Sequence, residues 1–268
     1  MSKNPNTKNL IFFGNGLLAD VTKSVLEKSP ELKILFHART KSDLTTVKAI
    51  KTEHPDACGV LASFGVLIPP DVLELFEPEG ILNIHPSLLP QYRGASPIES
   101  AILDGHSDFS VSVMKLVKAM DAGPIYYQTT LRNLPLEKTA IYTALATAGA
   151  SWLVQNLSHL PTPIPQDNTQ ATFTTKLTKS MSQLAPETDS AKTTLRKIVA
   201  FQGFPKPKFT FFGQEVIILS AHLASSAPPK SLMLPCADGQ FVIIDRLQPL
   251  SRKPMDAKSF LNGFGKSR

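Results

Sequence analysis

Leu10-Ile-Phe-Phe13 runs directly into Gly14-Asn-Gly16, an apolar segment too short for a helix and closed by a turn. From Leu17 to Lys28 the period changes, with Leu18, Val21, Val25 and Leu26 at helical spacing. The alternation then repeats outward. Ile34-Leu-Phe36, Cys58-Gly-Val-Leu-Ala62 and Ile81-Leu-Asn-Ile84 read as further strands, while Asp43 to Glu53 and the segment from Ser96 to Leu103 read as helices. Strands that are apolar throughout, separated by helices, specify a mostly parallel sheet covered on both faces. The first half of the chain is therefore α/β, and ligands are expected beyond the carboxyl ends of its strands.

The segments at the strand ends narrow the chemistry. Gly14-Asn-Gly16 lacks the third glycine of a dinucleotide fingerprint, since position 19 is Ala19, and reads as a tight turn. The third strand leads into Ser63-Phe-Gly-Val-Leu-Ile-Pro-Pro70, and the fourth into Asn83-Ile-His-Pro-Ser-Leu-Leu-Pro90-Gln-Tyr-Arg93-Gly-Ala-Ser-Pro97. Asn83 and His85, two apart at a strand end, project from the same side of a pleated backbone. A fifth apolar strand through Val111, Val113 and Leu116 precedes Met120-Asp-Ala-Gly-Pro124, so Asp121 is a carboxylate at another strand end. An amide, an imidazole and a carboxylate can meet at one cleft in this topology. Each also has a plainer reading: His85 as a core histidine bonded to a carbonyl, Asn83 and Asp121 as turn formers. No Gly-x-Ser-x-Gly elbow surrounds Ser87, which argues against a serine hydrolase. The other histidines have no metal-ligand spacing, so no metal is expected.

With 42% hydrophobic residues in 268, the chain can build a full core and is not a disordered protein. Cys58 and Cys236 form neither a disulfide framework nor a local metal motif, which fits a reducing, cytoplasmic setting. Met1 to Phe13 does not read as a signal peptide. The long uncharged run from Thr139 to Gln166 sets Thr143, Thr147, Ser151 and Gln155 opposite Ile141, Leu145, Ala148 and Trp152, the pattern of an amphipathic helix and not of a membrane span. Charge divides the chain: residues 1–165 carry net −1 and residues 166–268 net +7. The cut falls in Pro161-Thr-Pro-Ile-Pro165-Gln-Asp-Asn168, which continues neither a helix nor a central strand. Two domains are expected, 1–165 and a basic 166–268, the second with a charge suited to a polyanion.

The segment from Asn83 to Pro90, with Arg93-Gly94 and Pro97-Ile98 after it, resembles the formyltransferases that use 10-formyltetrahydrofolate. Met120-Asp-Ala-Gly123 stands where that family has its Asp-x-Gly, and Ser63-Phe-Gly65 with Pro69 is similar to its folate-side loop. The second half carries Phe201-Gln-Gly-Phe-Pro205, Gly213-Gln214, Asp238-Gly239 and Arg252-Lys-Pro-Met255 in the order of the C-terminal domain of methionyl-tRNA formyltransferases. The resemblance implies a Rossmann-like domain followed by a small OB-like β-barrel. It also implies Asn83, His85 and Asp121 as catalytic residues, the first two aimed at the oxygen of a tetrahedral intermediate and Asp121 orienting His85. By the same likeness Ser87, Leu88, Leu89, Pro90, Phe64 and Gly65 would bind folate. Arg39, Lys41, Lys176, Lys179, Lys206 and Lys208 would contact tRNA. The implied partners are 10-formyltetrahydrofolate as formyl donor and initiator methionyl-tRNA as acceptor, with no membrane and a monomeric enzyme. Sugar-nucleotide and glycinamide ribonucleotide N-formyltransferases share the catalytic trio and are the alternatives. The chain departs from the tRNA enzymes in its short loop from Phe36 to Leu44, in Pro86, and in Phe204 where they have a tryptophan.

Overall fold

The computed structural model describes residues 7–265. The start of the segment read for a signal peptide, residues 1–6, lies outside them. The chain separates into two compact units. The first holds residues up to Ile98, Ser107–Pro135 and Thr139–Thr175; the second holds Glu99–His106, Leu136–Lys138 and the chain from Lys176 onward.

The first unit alternates as expected: β1 (Lys8–Gly14), α1 (Gly16–Glu27), β2 (Leu32–Ala38), α2 (Asp43–Glu53) and β3 (Cys58–Ala62). A short helix α3 (Pro70–Leu73) precedes β4 (Ile81–His85), after which comes α4 (Pro97–Asp104), assigned from Glu99 onward to the second unit. Then come β5 (Phe109–Lys115), β6 (Ile125–Leu131) and α5 (Lys138–Asn156). The six strands run in the order β2-β1-β3-β4-β5-β6. The first four are mutually parallel, whereas β5 and β6 run antiparallel to their neighbours. The side chains of Leu10, Ile11, Phe12 and Phe13 are all fully buried, which a strand with alternating faces achieves only when both faces are covered. On one face Ile11, Phe13, Leu61, Phe76 and Ile81 pack with Leu44 and Val47 of α2. In α5 Ile141 and Leu145 are buried and Thr143, Thr147 and Gln155 exposed, as read from the sequence, whereas Ala148, Ser151 and Trp152 are all half-buried and the buried stripe runs instead through Gly149 and Leu153. No helix among the described residues is long and apolar enough to cross a membrane.

The sequence reading missed β6. Its run Ile125-Tyr-Tyr-Gln-Thr-Thr-Leu131 is half-buried at the sheet edge and lacks a continuous apolar stretch. The first unit also runs past Pro165 to Thr175, because the residues after the proline stretch bond back onto the loop around Arg93.

The second unit contains α6 (Ala191–Ala200), β7 (Lys208–Phe211), β8 (Gln214–Ala224), β9 (Met233–Pro235), β10 (Phe241–Pro249), β11 (Met255–Asp256) and α7 (Ala257–Phe264). Its antiparallel strands take the order β11-β10-β8-β7, with β9 on β10. Register shifts at Ile244/Arg246 and Arg246/Leu247 mark bulges that bend the central β8–β10 pair. The result is a curled half-barrel around Ile198, Val216, Ile218, Leu234, Val242, Ile244 and Phe260.

Candidate active site

β4 ends at the middle of the sheet, and the residues named for catalysis gather there. Asn83 and His85 lie on β4 opposite Met114 and Ser112 of β5, each only 5% exposed. Beyond β5 the chain turns so that Lys115 N–H donates to the carbonyl of Pro124 at 2.9 Å, and Asp121 sits on this turn with φ +46°. Gly123 closes it: a Cβ there would stand 1.8 Å from the carbonyl oxygen of Lys115, so only glycine fits. This gives the Asp-x-Gly spacing a steric cause.

His85 Nδ1 stands 3.6 Å from Asp121 Oδ2. The opposite ring nitrogen, Nε2, lies 3.0 Å from the carbonyl oxygen of Tyr92. A carbonyl only accepts, so Nε2 carries the hydrogen, and in the neutral ring the Nδ1 lone pair points at the carboxylate. The carbonyl-bonded histidine of the plain reading is present, and the same geometry turns Nδ1 toward the carboxylate. Asp121 Oδ2 also accepts the N–H of Gly94 at 2.8 Å. Asn83 is 5% exposed and makes no side-chain hydrogen bond among the described residues, yet its amide is not among the fully buried unbonded groups, so it keeps access to the cleft and its N–H groups are free for a ligand. With both His85 nitrogens engaged, Asn83 is the member of the trio with N–H groups left to donate.

The loop after β4 is held by polar contacts. Ser112 Oγ donates to the carbonyl of Ser87 at 2.6 Å and accepts the N–H of Leu89 at 3.2 Å. Gln128 Nε2 donates to the Leu89 carbonyl at 2.8 Å. Among residues named for folate, Ser87 is buried with its hydroxyl bonded to the carbonyl of Gln91, Leu89 is buried, Pro90 is half-buried, and Leu88 and Gly65 are exposed. Phe64 differs from them in its packing. Its ring is buried in the core edge-on to Phe13, with centroids 5.6 Å apart, so only its backbone is available to a ligand.

The basic residues divide as well. Lys41, Lys176, Lys179 and Lys206 are exposed. Arg39 is exposed, with Nε donating to His37 Nδ1 at 3.3 Å. Lys208 is half-buried and paired with Glu215 at 2.7 Å, which leaves it the least free charge of the set. Sequence reasoning missed Gln166. This residue of the expected linker bonds to the turn carrying Asp121, and no local signal marks it because its partners are more than forty positions upstream. Among the described residues no three His, Cys, Asp or Glu side chains are grouped as a metal site.

Residues 14–157 match the formyl transferase family, and residues 176–265 match the formyl transferase C-terminal domain. The chain belongs to the formyl transferase family. It is 32% identical over 246 residues to the methionyl-tRNA formyltransferase of Thermus thermophilus, covering 87% of this chain and 79% of that protein. It is 36% identical over 231 residues to the methionyl-tRNA formyltransferase of Dehalococcoides mccartyi, covering 80% and 72%. Among solved structures, HypX from Aquifex aeolicus in complex with tetrahydrofolic acid superposes with a TM-score of 0.77 at 21% identity over 98% of this chain. This chain spans about half of HypX, 48%. The methionyl-tRNA formyltransferase from Clostridium thermocellum gives 0.65 at 15% identity, covering 93% of this chain and 99% of that one. The sugar 3N-formyl transferase WlaRD gives 0.64 at 15% identity, covering 92% and 99%. At these identities the three structures establish the shared fold.

Proposed function

We propose that this protein transfers the formyl group of 10-formyltetrahydrofolate to the α-amine of methionine esterified to initiator tRNA. The observation that carries the reading is the convergence at the end of β4: a buried amide without an internal partner beside a histidine facing a carboxylate at 3.6 Å. Relatives that carry the methionyl-tRNA formyltransferase name over 72–79% of their own length support the choice of acceptor.

The amine nitrogen attacks the formyl carbon, forming a C–N bond and a tetrahedral carbon that bears a negatively charged oxygen. The Asn83 amide donates to that oxygen; one such donor supplies about 3 kcal/mol of transition-state stabilisation. His85 accepts the proton released by the amine at Nδ1, next to the charge of Asp121, and the proton leaves with the folate nitrogen as the original C–N bond breaks. Nothing but the two substrates is covalently changed, so the contribution of the fold is to hold them in one geometry. The exposed lysines of the basic second unit meet the phosphates of the tRNA. We place the enzyme in the cytoplasm, where charged tRNA is made, acting as a monomer.

Incubation of the protein with 10-formyltetrahydrofolate and charged initiator tRNA is expected to yield formylmethionyl-tRNA. The same incubation with an amino-sugar nucleotide serves as the control. Formylation of the sugar with none of the tRNA would overturn the acceptor assignment.

A further inference from the structure

We propose that Gln166, held in place by Arg93, is a positioning residue for the transfer, acting through the backbone of Asp121; the inference rests on the reaction class proposed above. Gln166 Nε2 donates to the carbonyl of Asp121 at 2.8 Å and to that of Gly123 at 2.7 Å. One amide thus clips both sides of the turn. Its Oε1 accepts from Arg93 Nε at 3.1 Å and from Arg93 Nη2 at 2.6 Å. These four contacts admit one orientation of the amide, because the flipped form would set NH₂ against guanidinium and oxygen against two carbonyls.

The turn needs such a clip. Asp121 is a non-glycine residue at φ +46°, a left-handed conformation that persists only where the surroundings enforce it. Arg93 is 4% exposed, and its Nη2 also donates to Asn168 Oδ1 at 2.8 Å. Its main chain is fixed too: the N–H donates to the carbonyl of Thr172 at 2.9 Å, and its carbonyl accepts from Thr174 N–H at 2.7 Å. Three successive residues therefore each hold one part of the site. Tyr92 accepts from His85, Arg93 grips Gln166, and Gly94 donates to the Asp121 carboxylate. The stretch between Pro165 and Thr174 is the outer brace of the catalytic pair; it reaches Pro90 through the N–H of Thr172 at 3.3 Å, whereas Gln166 itself bonds the Asp121 turn and no side chain of Asn83 or of residues 87–90.

The test uses the full-length protein with Gln166→Glu, which keeps an oxygen for Arg93 but sets a second oxygen against the two carbonyls, and Gln166→Ala, which removes the clip. Rates are measured on whichever amine the wild type formylates, so a wrong acceptor shows in the wild type and a wrong positioning role shows in the ratio of variant to wild type. The expected result is a kcat lower by roughly 10²-fold, the cost of a small misplacement of a catalytic group, with KM for 10-formyltetrahydrofolate unchanged. The acid limb of the rate–pH profile moves, and a crystal structure of Gln166→Glu shows the 120–124 turn displaced. Folded variants with wild-type kcat, a kcat lost only in proportion to the unfolded fraction by circular dichroism, or an unmoved turn would each overturn the proposal.

Discussion

Asn83 and Gly123 show two ways in which a single residue is tied to the site. Asn83 is buried with no internal side-chain hydrogen bond, so removing its amide deprives the fold of little and, in the mechanism we propose, takes away the donor to the oxyanion. Asn83→Ala is expected to lower kcat by about 10²–10³-fold with the circular dichroism spectrum and melting temperature nearly unchanged. Gly123 is the reverse case. A methyl group there collides with the Lys115 carbonyl, the turn must open, and Gly123→Ala is expected to cost about 1–3 kcal/mol in denaturant unfolding together with a loss of transfer. Both positions were legible in the sequence, Asn83 from its spacing to His85 and Gly123 from its spacing to Asp121. Gln166 was not. A glutamine among prolines carries no pattern, and its role exists only once Arg93, 73 positions earlier, has been brought beside it.

At the level of elements, sequence periodicity located β1, β3, β4 and α2 well, since each is decided by burial on a face that its own residues declare. It missed β6, whose half-buried mixture of tyrosine, threonine and glutamine is stabilised by pairing with β5 and declares little by itself. Two elements carry predictions. Thr22 of α1 is fully buried with an unbonded hydroxyl, the one such side-chain oxygen among the described residues. Thr22→Val keeps the shape and removes the uncompensated desolvation, so stability is expected to rise by about 1 kcal/mol, read as a higher melting temperature. Asp43, at the start of α2, accepts the backbone N–H groups of Arg39 at 2.7 Å and Thr40 at 2.8 Å. The bond from Arg39 first, then that from Thr40, holds its carboxyl below the ordinary 3.8. A lowered carboxyl means the native state favours the charged form. Its contribution to stability is therefore complete above 3.8 and fades as pH falls through the lower folded value. The stability difference between wild type and Asp43→Asn, measured from pH 6 downward, is expected to hold flat and then close only in that acid range. A difference that closed near neutrality would contradict the assignment.

Over the whole molecule, charge is the property that composition showed earliest and that the structure refines most. Of the 14 basic residues behind the net +7 of residues 166–268, not all are free for a partner, because Lys197 is paired with Asp189 at 2.6 Å and Lys208 with Glu215 at 2.7 Å. Lys176, Lys179 and Lys206 are exposed with no carboxylate partner among the described residues, so they can displace counterions from a phosphate backbone at little internal cost. Each phosphate neutralised steepens the fall of log affinity with log salt by about 0.7–0.9. Binding of charged initiator tRNA, followed by fluorescence across a salt series, is therefore expected to weaken steeply, and each of Lys176→Ala, Lys179→Ala and Lys206→Ala to flatten the slope by about one. Lys208→Ala should change it less, since that charge is already partnered. A slope unaltered by the three exposed lysines, or one reduced equally by Lys208, would mean that the free charges of this unit serve solubility and that the acceptor is gripped elsewhere.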